Sequence, residues 1–254
     1  MSVYGVLFIA AVMLLSVAGL LLVRRYADVE WLKRHHEVAS YFFLMVGTLY
    51  AVLVAFAIFV VWTDFEDAGR NLEREANRVA DLYRMSSVMP EPFGQNIRRA
   101  LVEYVKTVME DDFPAMAEGR QAKEGWDSIH NLWDVYAAAE FGTPKAQVYF
   151  TESLRQLNEL SNYRRLRLFT SRGTVPALVW WLLVSGMLVL IALSYFFGHE
   201  SIVSQSIMTA VLAGILAFSV LLIYDFNSPF AGAARVSAEP FKIELQYIMA
   251  HGQE

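Results

Sequence analysis

The sequence contains no cysteine, which excludes disulfides, thiolate nucleophiles and thiolate metal sites. It also lacks a glycine-rich phosphate loop, a nucleophile elbow, a His-Glu-x-x-His pair and any paired carboxylate within an apolar run. The 21 Lys and Arg are outnumbered by 26 Asp and Glu, and the net charge of −5 argues against nucleic acid as a partner. We therefore expect neither an enzyme nor a nucleic-acid-binding protein, and no cofactor.

Four long runs contain no charged residue and no histidine: residues 3–23, 42–62, 175–197 and 204–224. Each reaches the roughly 20 residues that a tilted helix needs to cross the hydrocarbon core of a bilayer. Hydrophobic residues make up 56% of the 254 residues, above the usual share of about 45–50%. The sequence therefore predicts a multi-pass integral membrane protein in contact with the lipid bilayer.

A polar segment separates the first pair of spans from the second. Proline is absent between the second span and Pro90, and apolar residues recur there every three or four positions, which predicts that the span continues as a helix outside the membrane. Runs rich in β-branched residues are absent from the segment, whereas further amphipathic helical patterns follow.

The predicted fold is accordingly all-α, with four transmembrane helices in a 2 + 2 arrangement and an inserted α-helical domain. Transmembrane helices 1 and 2 occupy residues 1–62, and the helical domain, continuous with helix 2, occupies residues 63–174. Transmembrane helices 3 and 4 occupy residues 175–226. A C-terminal tail with a short amphipathic helix occupies residues 227–254, with apolar positions at Phe241, Leu245 and Ile248.

Two forms of the positive-inside rule disagree about orientation. The loop after the first span carries four basic residues, and a rule dominated by the first helix would place that loop in the cytoplasm. The side of the membrane that carries the helical domain has more basic residues near the spans. There are nine of them: Arg70, Arg74, Arg78, Arg164, Arg165, Arg167, Arg172, Arg235 and Lys242. We favour a cytoplasmic helical domain.

Because no span contains Asp, Glu, Lys, Arg or His, one protomer has no visible ion pathway of its own. If the protein conducts ions, they would cross along the axis of a homo-oligomer, through an apolar neck. The alternative is that the protein conducts no ions. Val52, Phe56 and Phe59 share a face of the second span and are the candidate pore constriction. The alternative is that these side chains contact lipid or pack in the core.

Just beyond the second span lie Asp64, Glu66 and Asp67, which an oligomer would multiply into an acidic ring at the pore mouth. Such a ring attracts cations. The alternative is an ordinary solvated helix face, with Arg70 pairing to Glu66 and Asp67.

Two further sets of residues are candidates for smaller roles. His35 and His36 precede the second span and His199 follows the third, so the three could form a pH-sensitive or metal-binding loop, or could be plain interfacial residues. Asp225 and Pro229 are expected to form a structural turn after the fourth span.

The chain resembles the bacterial bestrophin-like domain family, four-span membrane proteins with a distant analogy to bestrophin channels. The resemblance rests on LYAVLVAFAIFVVWTDF with EREANRVADLYR around the second span, RRLRL before the third, and YDFNSPFAGAARVSAEPF after the fourth. It implies a homo-pentamer with one axial pore, a neck lined by the second span and a cytosolic helical vestibule. It also implies that both chain termini lie in the cytoplasm, which agrees with the count of basic residues. The acidic run at residues 110–112 lacks the spacing of a calcium loop, so calcium control is not part of this expectation.

The residues and the resemblance together predict an oligomeric ion channel of the bacterial inner membrane that conducts inorganic ions passively and prefers cations. The resemblance implies that the oligomer is a pentamer. The alternative is a non-conducting membrane scaffold or signalling protein whose helical domain binds partners.

Overall fold

The computed structural model describes residues 3–27, 29–140, 144–198, 201–232 and 234–251. Across these residues the chain is helical, and none of them lies in a β-strand. In chain order the helices are α1 (Val3–Tyr26), α2 (Val29–Ser86), α3 (Phe93–Thr107), a π-helical turn (Val108–Asp112), α4 (Phe113–Ala117), α5 (Lys123–Ala137), α6 (Pro144–Thr170), α7 (Ala177–Ser194), α8 (Ile202–Phe226) and α9 (Glu239–His251).

Four of these helices, α1, α2, α7 and α8, are long and apolar enough to cross a membrane. The predicted all-α membrane fold with four spanning helices is confirmed. The chain divides into two compact units, a membrane unit (Met1–Thr63 with Thr174–Asn227) and a helical unit (Asp64–Gly173 with Ser228–Glu254). Helix α2 contributes residues to both, since it runs without interruption from Val29 to Ser86.

In the membrane unit, α1 packs on α8, and α8 also packs on α7. One face of α2 joins this bundle through Tyr50, whose hydroxyl donates a hydrogen bond of 2.9 Å to the carbonyl oxygen of Leu183. The Tyr50 ring lies against Gly186, where a Cβ atom would come within 2.5 Å of it. A glycine on α7 therefore allows the aromatic ring to approach the helix backbone.

The helical unit has its own apolar core. On α2 the buried positions follow the predicted spacing and include Leu72, Val79 and Leu82. They pack with residues of the other helices of this unit, including Leu101, Tyr104, Leu132, Leu157 and Phe241. Helix α9 inserts Phe241 and Ile248 fully into this core, so the C-terminal segment belongs to the folded unit.

Two local features differ from the sequence-based expectation. Asp225 lies in the last turn of α8 and not in the turn that follows, because the helix continues to Phe226. The turn residue with a structural role is Asn227, whose side-chain oxygen accepts hydrogen bonds of 3.0 Å from the backbone N–H groups of Thr174 and Val175 ahead of α7. The π-helical turn at Val108–Asp112 has no counterpart in the sequence prediction.

Candidate functional site

The candidate constriction residues lie on a face of α2 that the protomer leaves uncovered. Val52, Phe56 and Phe59 are 52%, 66% and 67% exposed. The opposite face, with Tyr50, Val54 and Val61, is buried against the rest of the membrane unit. The three predicted residues therefore share one face, and that face is free to contact lipid or another copy of the chain.

Of the acidic cluster, Glu66 and Asp67 both pair with Arg70. The Arg70 Nη1 atom lies 3.4 Å from a Glu66 carboxylate oxygen, and Nη2 lies 2.7 Å from Asp67 Oδ1. All three side chains are about half exposed. The hydrogen bond to Asp67 and the charges of both carboxylates raise the pKa of Arg70. Both ion pairs expected of an ordinary solvated helix face, Arg70 with Glu66 and Arg70 with Asp67, are thus present.

Helical register relates the acidic residues to the uncovered face. Glu66 follows Phe59 by seven residues, and Phe59 follows Val52 by the same interval, so the three lie close to one line along α2. Asp64 follows the partly buried Ala57 by seven residues and is directed nearer to the packed side. Glu66 is therefore the best candidate for a carboxylate that continues the uncovered apolar face.

The histidine loop is only partly described. His36 packs edge to face on Phe197, with 5.5 Å between the ring centroids. His35 is exposed, and His199 lies outside the described residues. Within the described part of the chain, no cluster of three or more His, Asp or Glu side chains is arranged to hold a metal ion.

Pro229, the other predicted turn residue, is buried. Its carbonyl oxygen accepts a hydrogen bond of 2.7 Å from the Val236 backbone N–H, which closes the segment between α8 and α9. The neighbouring Phe230 packs with Ala68, Met116 and Leu168 in a small separate core. These contacts serve the fold of the helical unit.

The helical unit contains a buried ion-pair cluster that the sequence did not predict, formed by Glu75, Tyr104, Asp112, Arg164 and Arg167. Arg167 donates to Glu75 from Nε at 2.8 Å and from Nη2 at 3.0 Å, and Nη2 also lies 3.0 Å from Asp112. Arg164 pairs with the same Asp112 carboxylate. The Tyr104 hydroxyl donates to Glu75 Oε1 at 2.5 Å. Two carboxylates thus balance two guanidinium groups out of contact with water.

Burial and mutual attraction act in opposite directions on the charges of the cluster. Burial alone lowers the pKa of Arg167, but Glu75, Tyr104 and Asp112 outweigh it and the net pKa is raised. Burial and the Glu75 charge together raise the pKa of Tyr104 well above its usual value. Tyr104 therefore stays neutral and serves Glu75 as a hydrogen-bond donor.

Helix α5 passes close to this cluster because residue 125 is glycine. A Cβ atom there would collide with the Asp112 carboxylate and with Nη2 of Arg164. Asp112 itself comes from the π-helical turn, a wider helical turn that is often found at functional positions.

The sequence does hold a signal for the cluster. Glu75 falls on the same face of α2 as the buried residues Leu72, Ala76 and Val79. Arg164 and Arg167 fall on the face of α6 that also carries Leu160. Charges within an otherwise apolar face predict buried, mutually paired ions.

Comparison with known proteins agrees with this architecture. The bestrophin-like domain family matches residues 10–241, which is most of the chain. The chain belongs to the bestrophin-like domain family. This confirms the resemblance inferred from the sequence.

Among solved structures, the fold of this bestrophin-like chain is similar to that of bacterial bestrophin homologues from Klebsiella pneumoniae. A single-residue variant of that homologue has a TM-score of 0.72 and 14% identity, with 97% of this chain and 99% of the other covered. A second structure of the homologue has a TM-score of 0.68 and 16% identity, with 94% and 95% covered. No curated protein matches this bestrophin-like chain in sequence.

Proposed function

We propose that this bestrophin-like protein is a homo-oligomeric, pentameric ion channel with an axial pore lined by α2. The observation that carries the proposal is the uncovered apolar face of a spanning helix whose other face is packed. Family membership and a bestrophin-type fold support it. Copies of α2 arranged around an axis would bury this face and enclose a path that one protomer does not contain.

Conduction in this proposal is passive, through a neck formed by Val52, Phe56 and Phe59. Rings of such apolar side chains close a pore to ions when dry and open it when wetted. The helical unit would then form a vestibule on the cytoplasmic side of a bacterial inner membrane, with both chain termini on that side. The excess of Lys and Arg beside the spans on the helical-unit side supports this orientation.

Selectivity in this proposal leans toward cations. Each protomer contributes Asp64, Glu66 and Asp67 against Arg70, so the net charge of this set is negative. Repeated around an axis, the set attracts cations and repels anions. Because Arg70 neutralises part of the acidic charge, the preference is expected to be moderate.

The experiment compares two valines of equal exposure. Val52 on α2 and Val211 on α8 are each 52% exposed in the protomer. Each is replaced by Asn, and ion flux is measured from liposomes that contain purified protein. A channel lined by α2 predicts that Val52→Asn raises the leak, because a polar ring wets the neck, whereas Val211→Asn leaves it unchanged.

Equal effects of Val52→Asn and Val211→Asn would contradict the assignment of α2 to the pore. Absence of flux in every sample, with folded oligomer shown by size-exclusion chromatography, would favour the non-conducting membrane scaffold instead. In that case the polar substitutions would alter only stability.

A further inference from the structure

The membrane unit contains a cavity at the end where α2 and α8 begin and α7 ends. Its volume is about 720 Å³, within the range of about 300–1,000 Å³ for pockets that enclose a small molecule. Its walls are formed by side chains from residues 36–44 of α2, residues 194–198 at the end of α7 and residues 205–212 of α8. All of them belong to the membrane unit. The cavity therefore lies among spanning helices, where membrane lipid surrounds the protein.

The walls of the cavity change from polar to apolar with depth in the membrane. On α2, His36 and Ser40 come before the uncharged run of residues 42–62, whereas Leu44 lies within it. On α8, Gln205 lies in the first turn and Leu212 two turns deeper. Both helices enter the membrane from this end, so the two gradients run in the same direction. A molecule that fits both walls has a polar end at the membrane surface and an apolar end below it.

The cavity is open to the hydrocarbon of the bilayer. Leu44 on the α2 wall and Met208 on the α8 wall both lie in spans, and they are 72% and 64% exposed. A space lined by apolar groups stays dry unless several polar groups hold a water molecule. Hydrocarbon from the bilayer is therefore the natural content of the deeper part of this cavity.

Thr209 of α8 places a buried hydroxyl in the wall of the cavity. The residue is only 2% exposed, and its side chain forms no hydrogen bond with any described residue. Other hydroxyls in the spans are satisfied within their own helix. Thr48 donates to the Leu44 carbonyl oxygen at 2.8 Å, and Ser219 donates to that of Ile215 at 2.9 Å. Because a buried polar group without a partner is uncommon, the Thr209 hydroxyl calls for a partner within the cavity.

The depth of Thr209 indicates which group meets it. Thr209 lies one helical turn, about 5.4 Å, deeper than Gln205. The Gln205 side-chain oxygen accepts hydrogen bonds of 3.0 and 2.6 Å from Nε and Nη2 of Arg24, which fixes Gln205 at the polar end. In a diacyl glycerophospholipid the ester carbonyls come directly below the polar headgroup, and the acyl chains follow. An ester carbonyl oxygen placed there accepts a hydrogen bond from Thr209.

Charge does not favour one headgroup over another. The described residues at this end of the membrane unit include Arg24, Arg25 and Arg34, but also Glu30 and Glu37. Charges of both signs thus surround the polar end of the cavity. Zwitterionic and anionic phospholipids are expected to bind with similar affinity.

We propose that this cavity is a binding site for one membrane glycerophospholipid. One acyl chain occupies the space between Leu44 and Met208 and extends toward Leu212. The ester carbonyl above this chain accepts a hydrogen bond from Thr209, and the headgroup lies beside His36 and Ser40. The site does not depend on ion conduction.

The test is native mass spectrometry of the purified full-length protein, titrated with diacyl phosphatidylethanolamine, diacyl phosphatidylglycerol and a diether analogue that lacks ester carbonyls. One diacyl lipid is expected to bind per chain. The diether analogue is expected to bind about threefold more weakly, because it offers Thr209 no carbonyl acceptor. Thr209→Val should lower the affinity for diacyl lipid to that for the diether analogue, whereas Thr48→Val should change neither affinity.

A steric variant locates the acyl chain. Met208→Trp is expected to weaken binding at least about fivefold, because the indole takes space that the chain needs. Ile207→Trp is the matched control, since Ile207 is 59% exposed on the same helix and lies outside the cavity wall. Circular dichroism checks that each variant folds.

Four results would overturn the proposal. The first is that folded protein binds no phospholipid, and the second is that Met208→Trp and Ile207→Trp have equal effects. The third is that Thr209→Val binds diacyl lipid as tightly as Thr48→Val does. The fourth is that Met208→Trp separates the oligomer into protomers while Ile207→Trp does not, because a second copy of the chain would then fill the cavity.

Discussion

Replacing Arg167 with methionine tests the role of the buried ion-pair cluster most sharply. The Arg167 side chain has no solvent exposure and contacts both carboxylates of the cluster. Methionine retains much of the length of the side chain but removes its charge. After the substitution Asp112 keeps Arg164 as its partner, whereas Glu75 keeps, among the described residues, only the hydroxyl of Tyr104.

The magnitude follows from the uncompensated charge that remains. Breaking a buried ion pair by removing one partner costs about 3–5 kcal/mol. For a chain of this size each kcal/mol lowers Tm by about 2–4 °C. Arg167→Met is therefore expected to lower Tm by about 6–20 °C.

A second substitution separates lost charge balance from lost packing. Glu75→Gln added to Arg167→Met restores equal numbers of acidic and basic groups and keeps an oxygen acceptor for Tyr104. Replacing both members of a buried pair is often nearly neutral, so the double variant should recover at least half of the lost Tm. Arg70→Met, which breaks only exposed pairs, should leave Tm almost unchanged.

The assay is thermal unfolding in detergent, followed by tryptophan fluorescence. The reasoning is refuted if Arg167→Met unfolds at the same temperature as Arg70→Met. It is also refuted if the double variant is less stable than Arg167→Met, because the damage would then not come from an unpaired carboxylate.

Three further predictions concern packing, pH and selectivity. Gly125→Ala should lower Tm because the added Cβ atom would collide with the buried ion pair. Gly69→Ala has open space around residue 69 and should be neutral or stabilising by up to about 1 kcal/mol. Thermal unfolding measures both effects. Burial raises the pKa of Glu244, so the folded state favours its protonated form, and that contribution to stability is lost as pH rises through the folded pKa. Glu244→Gln should therefore raise Tm at pH 7 and flatten the change of Tm as the pH rises from the ordinary glutamate pKa of about 4.3 to 7. In bilayer recordings Glu66→Gln should reduce cation preference and Arg70→Gln should increase it, since Arg70 offsets the acidic charge; shifts of the same sign would contradict the acidic-ring proposal.

Periodicity and charge-free length were enough to predict the four spanning helices and the extension of α2 beyond the membrane. The four spans have the required number of apolar residues, and the buried positions on the second half of α2 recur at helical spacing. The C-terminal motif around Phe241 was also predicted as an apolar helix face, and α9 buries this residue. These signals are local in sequence, which is why a single chain reveals them.

The buried charges were not predicted, because their partners are distant in sequence. Glu75 and Arg167 lie 92 residues apart and meet only when α2 and α6 pack together. Asp112 belongs to an acidic run that looks solvated in sequence, and a π-helical turn places its carboxylate beside both arginines. The sequence also did not predict which side of α2 is left uncovered by the rest of the protomer. In a span whose residues are all apolar, the buried and the uncovered faces have the same hydrophobicity.

Reversal potential in a bilayer with opposed sodium and chloride gradients tests the central claim most directly. Purified oligomer should carry a current that reverses toward the sodium equilibrium potential, and the reversal potential should move toward zero in Glu66→Gln. A folded oligomer that carries no current, across pH and calcium concentration, would contradict the account and leave this protein as a non-conducting membrane scaffold.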